Sequence, residues 1–139
     1  MTLERTPRRG AALLMALLGA GFLGNGVWML FDAGRWFAAI ASDTGAFNGH
    51  LVRDVGAAFC AAGVALLWGA RRPALRGPLA AVAAVFLGLH ALVHVVETAA
   101  GALPGDSWLG DLPGVHLPAL VVAALALHAL RAPAPEASR

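Results

Sequence analysis

Charged residues are scarce in this sequence. Asp, Glu, Lys and Arg together make up 13% of the 139 residues, whereas hydrophobic residues make up 59%. Soluble domains carry about 25% charged residues, and the mean hydropathy here is +0.72. This composition excludes a soluble globular domain and indicates that most of the protein surface faces lipid.

Lysine is absent and cysteine occurs once, as Cys60 in the middle of an apolar run. A single thiol can form no internal disulfide, and it lacks the partner sulfur that thiol–disulfide exchange requires. The disulfide-forming class of membrane enzymes is therefore excluded. All ten basic residues are arginines, but they are spread over separate loops instead of forming one basic stripe, so no nucleic-acid partner is expected.

Long apolar runs take the place of a polar surface. Four of them approach the roughly 20 residues that a helix needs to cross the hydrocarbon core of a bilayer. They predict an all-α fold, an antiparallel four-helix transmembrane bundle within a single domain over 1–131, followed by a Pro/Ala-rich disordered tail over 132–139. The predicted helices cover about 11–31, 51–70, 74–96 and 112–130.

Arginine placement predicts the orientation of this bundle. Four spans put both termini on one side, and cytoplasmic segments of membrane proteins carry an excess of Arg and Lys. The loops at 32–49 and 97–111 hold no arginine except Arg35, and Arg53 opens the second span. We therefore expect a protein of the bacterial inner membrane with both termini on the cytoplasmic side. The termini and the turn between the second and third spans hold the other eight: Arg5, Arg8, Arg9, Arg71, Arg72, Arg76, Arg131 and Arg139.

Polar residues within the spans and directly beside them gather at the predicted periplasmic end. At about 100° per residue, His90, His94 and Glu97 lie within one narrow stripe of the third helix. Such groups are costly in hydrocarbon and normally face the bundle interior, where they find partners. Similar stripes occur on the first two helices. The polar set comprises Asn25, Asp32, Asn48, His50, Arg53, Asp54, His90, His94, Glu97 and His116.

These polar residues are predicted to form a binding site for a metal ion or redox cofactor. Histidines at i and i+4 can face one metal, and a set of histidines with carboxylates suits zinc, copper or iron. A b-type haem held by His50 together with His90 or His94 needs the same residues. A quinone pocket could use Asp54 with His94 to exchange protons with the ring oxygens. The candidate ligands are His50, Asp54, His90, His94, Glu97 and His116.

The remaining polar residues are assigned supporting roles. Arg53 is expected to neutralise an acid on another helix, either Glu97 or Asp32, because adjacent Asp54 points about 100° away from it. Asn25 and Asn48 complete the supporting set. No catalytic residue is identified, and whether the protein is an enzyme stays open at this point.

A structural role is the alternative. The polar residues would then form a network that only fixes the packing of the helices, and the protein would be a non-catalytic accessory or assembly subunit of a respiratory or quinone-linked membrane complex. The lipid bilayer is the predicted environment in either case. Other membrane subunits or further copies of this chain are the expected protein partners.

Three sequence features resemble a known group. The runs Gly24 to Asp32 and Phe47 to Gly56 and the His90/His94 pair look like those of small four-helix bacterial membrane proteins, whose architecture is similar to the DoxX-like group. The resemblance implies a link to respiratory or quinone-coupled membrane chemistry. It assigns no role to any individual residue.

Overall fold

The computed structural model describes residues 5–131, and this part of the chain is helical without any strand. A short 3-10 helix, Pro73–Leu75, precedes the fourth α-helix, and a π-helical stretch, Leu112–His116, joins the last two. The tail predicted over 132–139 lies outside the described residues. The α-helices are α1 (Arg5–Phe31), α2 (Ala33–Ile40), α3 (Gly49–Arg71), α4 (Arg76–Ala99), α5 (Ser107–Asp111) and α6 (Leu117–Arg131).

Four helical segments are long and apolar enough to cross a membrane. Large hydrophobic side chains such as Leu17, Val82 and Leu120 are exposed along them, as expected for surfaces that face lipid. The prediction of an all-helical fold with four membrane-length helices is therefore confirmed for the described residues. The four segments are Arg9–Phe31, Gly49–Arg71, Pro73–Ala99 and Ser107–Arg131.

Two helical features were not predicted from the sequence. Helix α2 lies within the expected loop because Asp32 caps it, accepting a hydrogen bond from the Arg35 backbone nitrogen at 3.3 Å. The fourth span begins at Ser107, five positions before the predicted start. Pro113 there lacks a backbone donor, and the chain continues through a π-helical turn in which the Leu117 N–H donates to the Leu112 carbonyl.

The core consists of one buried stripe from each long helix. On α1 the buried residues Met15, Phe22 and Met29 recur every seven positions, and α3 repeats this spacing with Val52, Phe59 and Leu66. Spacing of seven keeps one face of a helix toward its neighbours over several turns, as in coiled coils. Helices α4 and α6 contribute smaller side chains: Ala80, Ala83, Leu87, Ala119, Val122 and Ala126.

Helices α1 and α3 approach so closely that glycine is required at their contact. A Cβ added at Gly63 would lie 2.6 Å from the Leu23 backbone nitrogen and 2.7 Å from the Gly19 carbonyl oxygen. One heptad away, a Cβ added at Gly26 would lie 2.5 Å from the Gly56 carbonyl oxygen. Small residues let backbones approach and gain dispersion contacts in lipid, where the hydrophobic effect does not drive helix association.

The charged residues lie at two opposite ends of the bundle, as contacts between the helix ends show. Gly69 near the end of α3 faces Met15 near the start of α1, and Gly77 at the start of α4 faces Leu130 at the end of α6. One end, here called the arginine end, holds Arg9, Arg71, Arg72, Arg76 and Arg131. The opposite end, the carboxylate end, holds all six carboxylates of the described residues: Asp32, Asp43, Asp54, Glu97, Asp106 and Asp111.

We predict that Gly63→Ala destabilises the protein, whereas Gly21→Ala does not. The new methyl group at residue 63 would meet backbone atoms of α1, while a Cβ at residue 21 would meet nothing within 4 Å. Overpacking of this kind costs roughly 1–3 kcal/mol. The free energy of unfolding, measured by denaturant titration in detergent micelles, should fall for Gly63→Ala only. Equal stability of the two variants would contradict the close contact between α1 and α3.

Candidate functional site

The shortest contact between ionisable side chains of the described residues joins α4 to α5. His94 Nδ1 lies 2.8 Å from Asp111 Oδ2, and the two side chains are 18% and 22% exposed. Asp111 is the last residue of α5, directly before the π-helical stretch. A carboxylate at Nδ1 favours the tautomer with a proton on that nitrogen, which leaves the lone pair of Nε2 available to a ligand or a proton.

His90 extends this pair toward the middle of the bundle. Its ring centroid lies 4.9 Å from that of His94, 5.4 Å from Phe59 on α3 and 6.0 Å from Phe86 on α4. Within the described residues His90 has ring contacts but no side-chain hydrogen bond. We call Phe59, Phe86, His90, His94 and Asp111 the histidine row.

The histidine row runs inward from the end of α4, a helix within a segment that is long and apolar enough to cross a membrane. His94 and His90 lie five and nine residues before Ala99, where α4 ends. At a rise of about 1.5 Å per residue, these positions are about 7 Å and about 13 Å from the helix end. An ionisable group this deep in a membrane span is costly and indicates a functional site. Asp111 supplies a negative charge only at the shallow end of the row.

His50 and Asp54 form a separate pair on α3. His50 Nε2 lies 3.3 Å from Asp54 Oδ2, and the side chains are 88% and 63% exposed. Phe59, which contacts His90, follows His50 by nine positions and lies about 180° away around the helix. His50 therefore points away from α4. The structure does not bring His50 together with His90 or His94. Asp54 and His94, expected to form one pair, belong to two separate pairs, His50–Asp54 and His94–Asp111.

Arg53 contacts backbone carbonyls instead of the expected acid. Its guanidinium donates to the Leu30 carbonyl at 3.3 Å and to the Gly49 carbonyl at 3.1 Å. Leu30 lies in the last turn of α1, where carbonyl groups have no partner within their own helix, so Arg53 links that end to α3. Asp32 pairs with Arg35 at 3.6 Å, and Glu97 is exposed without an ion pair to any described residue.

The two asparagines have structural contacts. Asn48 caps α3, because its side-chain oxygen accepts hydrogen bonds from the backbone nitrogens of His50 and Leu51, both at 3.1 Å. Asn25 Oδ1 accepts a hydrogen bond from the Trp36 indole at 2.8 Å, which ties α2 to α1. These contacts give the supporting residues roles in shaping the carboxylate end.

The expected ligands do not converge on one point. His116 stacks on Trp108, with ring centroids 6.3 Å apart. Over the part of the chain that the structure describes, no three His, Cys, Asp or Glu side chains are grouped so that they could hold a metal ion. From the predicted set the structure assembles two separate pairs, the exposed His50/Asp54 pair and the His90/His94 pair, which Asp111 extends.

Sequence reasoning missed Asp111. The sequence pattern places this residue in an outer loop, because the predicted fourth helix begins one position later. The sequence does contain a signal for Asp111, because this residue directly precedes the predicted fourth span at the end of the bundle where His94 lies. Phe59 was missed because the sequence does not specify which face of α3 meets α4.

We predict that the His94–Asp111 contact stabilises the protein and that the His50–Asp54 contact does not. Hydrogen bonds to charged groups contribute about 1.5–3 kcal/mol, whereas exposed ion pairs contribute about 0–1 kcal/mol. Double-mutant cycles with alanine at each pair, read from unfolding in detergent, would give the two coupling energies. A His94–Asp111 coupling no larger than that of the exposed pair would contradict this assignment.

No family model, curated protein or solved structure matches this chain. The relationship to the DoxX-like group therefore stays a prediction, and function has to be inferred from the histidine row.

Proposed function

We propose that this chain is a multi-pass protein of the bacterial inner membrane that binds a quinone or quinol at the histidine row. The observation that carries the proposal is the 2.8 Å contact between His94 Nδ1 and Asp111 Oδ2 at the edge of a membrane span. A quinone dissolves in the bilayer and can approach from its hydrocarbon. Its oxygens accept protons when it is reduced, and the quinol releases them when oxidised, so a proton-exchanging side chain at this depth is suited to it.

Each member of the row has a part in this proposal. His94 Nε2 accepts a hydrogen bond, or a proton, from a ligand hydroxyl, and Asp111 holds the ring in the required tautomer and balances the charge of the imidazolium. Phe59 is buried and meets His90 and Phe86 edge-on. Phe86 is half-buried with its ring 23° from the plane of the His90 imidazole, and a flat aromatic headgroup can pack beside it. The proposal covers binding and proton exchange, and it assigns no electron acceptor to the protein.

A metal ion or haem receives less support from this geometry. A metal site needs further ligands beside His90 and His94, and the described residues supply no group of three. A haem between two helices requires histidines that face each other, whereas His90 and His94 belong to one helix and His50 points away from it. We therefore propose a quinone in preference to zinc, copper, iron or haem.

A structural role in an accessory or assembly subunit is the second candidate. It is favoured by the connection that His94 and Asp111 make between α4 and the segment that leads into α6. In that case the pair fixes the packing of the bundle, and other membrane subunits or further copies of this chain are the partners. Substitution of His94 would then lower the stability of the protein without removing a bound ligand.

The orientation proposed with this function is an antiparallel bundle with both termini in the cytoplasm. Gly19 faces Gly63, and Gly26 faces Gly56, so residue numbers rise along α1 as they fall along the facing α3. The arginine end holds five of the seven arginines whose side chains are described: Arg9, Arg71, Arg72, Arg76 and Arg131. The positive-inside rule puts this end in the cytoplasm and the histidine row on the periplasmic side.

We predict that His94→Ala weakens binding of a short-chain ubiquinol analogue to the purified protein by about tenfold, or about 1.4 kcal/mol, because the hydrogen bond to Nε2 is lost. His50→Ala, which removes an exposed histidine at the same end, should bind as the wild type does. Titration followed by tryptophan fluorescence in detergent would report the affinity.

Metal analysis by mass spectrometry and an absorption spectrum on the same samples separate the alternatives. A stoichiometric metal or a haem band that disappears in His94→Ala would replace the quinone with that cofactor. Protein that binds neither the analogue nor a metal, but loses stability in His94→Ala, would support the accessory subunit.

We also predict that a thiol at Ser42 is accessible from the periplasm and one at Ala74 is not. Ser42 lies between α2 and α3, and Ala74 lies in the turn between α3 and α4. In a Cys60→Ala background, Ser42→Cys should react with a membrane-impermeant maleimide in intact cells, whereas Ala74→Cys should react only after the cells are permeabilised. The reverse pattern would place the histidine row on the cytoplasmic side.

A further inference from the structure

The two ends of the bundle differ in how their charges are balanced. All three ion pairs found within the described residues lie at the carboxylate end. The arginine end has no described carboxylate, because the two remaining acids, Glu4 and Glu136, lie outside the described residues. Its positive charge is therefore not neutralised by the described part of the chain.

The turn between α3 and α4 concentrates this charge. Arg71 ends α3, Pro73–Leu75 forms one turn of 3-10 helix, and Arg76 begins α4. With Arg72 between them, three guanidinium groups occur within six residues, at the boundary between two membrane-length segments. With these two segments across a bilayer, the turn that joins them lies near the depth of the lipid headgroups.

Hydrogen bonds hold two of these arginines against the end of α3. Arg71 Nη1 donates to the Leu67 carbonyl at 3.2 Å, and Arg76 Nη2 donates to the Ala70 carbonyl at 3.4 Å. Arg71 uses one of its five N–H donors in this way. Arg72 is exposed, and its side chain has no hydrogen bond within residues 9–131. Two neighbouring guanidinium groups can therefore donate to an oxyanion.

An apolar surface adjoins the arginines on the membrane side. Trp68 lies one turn before Arg72 and is 54% exposed, which is a common position for tryptophan at the membrane interface. A ligand that contacts both groups has a negatively charged oxygen-rich head and a hydrocarbon chain. Arginine binds phosphate particularly well because its planar fork can donate two parallel hydrogen bonds.

We propose that Arg71 and Arg72 bind the phosphate of an anionic phospholipid whose acyl chain lies against Trp68. This site is independent of the histidine row and of any cofactor bound there. A phospholipid is preferred to free phosphate because the arginines border the hydrocarbon, where Trp68 provides a contact that inorganic phosphate cannot use. Basic residues immediately next to membrane helices are attracted to anionic headgroups.

Native mass spectrometry of the detergent-purified full chain, titrated with phosphatidylglycerol or with phosphatidylcholine, tests the proposal. A basic residue near an anionic lipid surface contributes about fivefold in affinity. We expect phosphatidylglycerol to bind more tightly than phosphatidylcholine. Arg72→Gln should weaken phosphatidylglycerol binding about fivefold, and the double variant Arg71→Gln/Arg72→Gln about 25-fold.

Arg35→Gln is the matched control. Arg35 is exposed, as Arg72 is, but it lies at the carboxylate end and pairs with Asp32, so its removal should leave lipid affinity unchanged. Because the Arg72 side chain has no hydrogen bond to residues 9–131, Arg72→Gln should retain the wild-type unfolding midpoint. Equal binding of the two lipids, or equal affinity of Arg72→Gln and Arg35→Gln, would overturn the proposal. Displacement of phosphatidylglycerol by an equal concentration of inorganic phosphate would instead assign the turn to a free anion.

Discussion

The close contact between α1 and α3 is the constraint on which the rest of the structure depends. Lipid chains are as apolar as leucine, so two helices in a membrane gain little from burying hydrophobic surface and must gain from close packing. Gly19, Gly26, Gly56 and Gly63 let the two backbones meet without side chains between them. With α3 fixed against α1 by this stripe, Phe59 on a neighbouring face is directed toward α4, where it meets His90.

Hydrocarbon also explains the form of the candidate site. A charge deep in the bundle would be costly, so the deepest polar residue of the histidine row is an imidazole that can stay neutral. The carboxylate that completes the row is Asp111, at the end of a short helix near the membrane boundary. The π-helical turn after Asp111 allows the chain to pass Pro113 and enter α6 without a break. Proton exchange at the membrane edge is compatible with this gradient of polarity.

The sequence predicted features that lipid or helix geometry imposes locally. Four apolar segments were identifiable because a helix must be long to cross the bilayer, and the shared face of His90 and His94 follows from their spacing, which the ring contact between them confirms. Contacts between helices depend on rotation and register, which no local pattern specifies. For that reason the sequence could not show that His50 points away from α4, that Arg53 reaches Leu30, or that His94 meets Asp111.

The division of charge between the two ends has one physical basis. At the carboxylate end, Asp32, Asp54 and Asp111 lie beside Arg35, His50 and His94 within the chain, so these three basic groups have acidic partners there. At the arginine end the described residues offer Arg71 and Arg72 no carboxylate, and a membrane surface rich in anionic headgroups can supply the missing negative charge. The same uneven distribution on which the proposed orientation rests therefore also favours the proposed lipid site at one end of the bundle and not at the other.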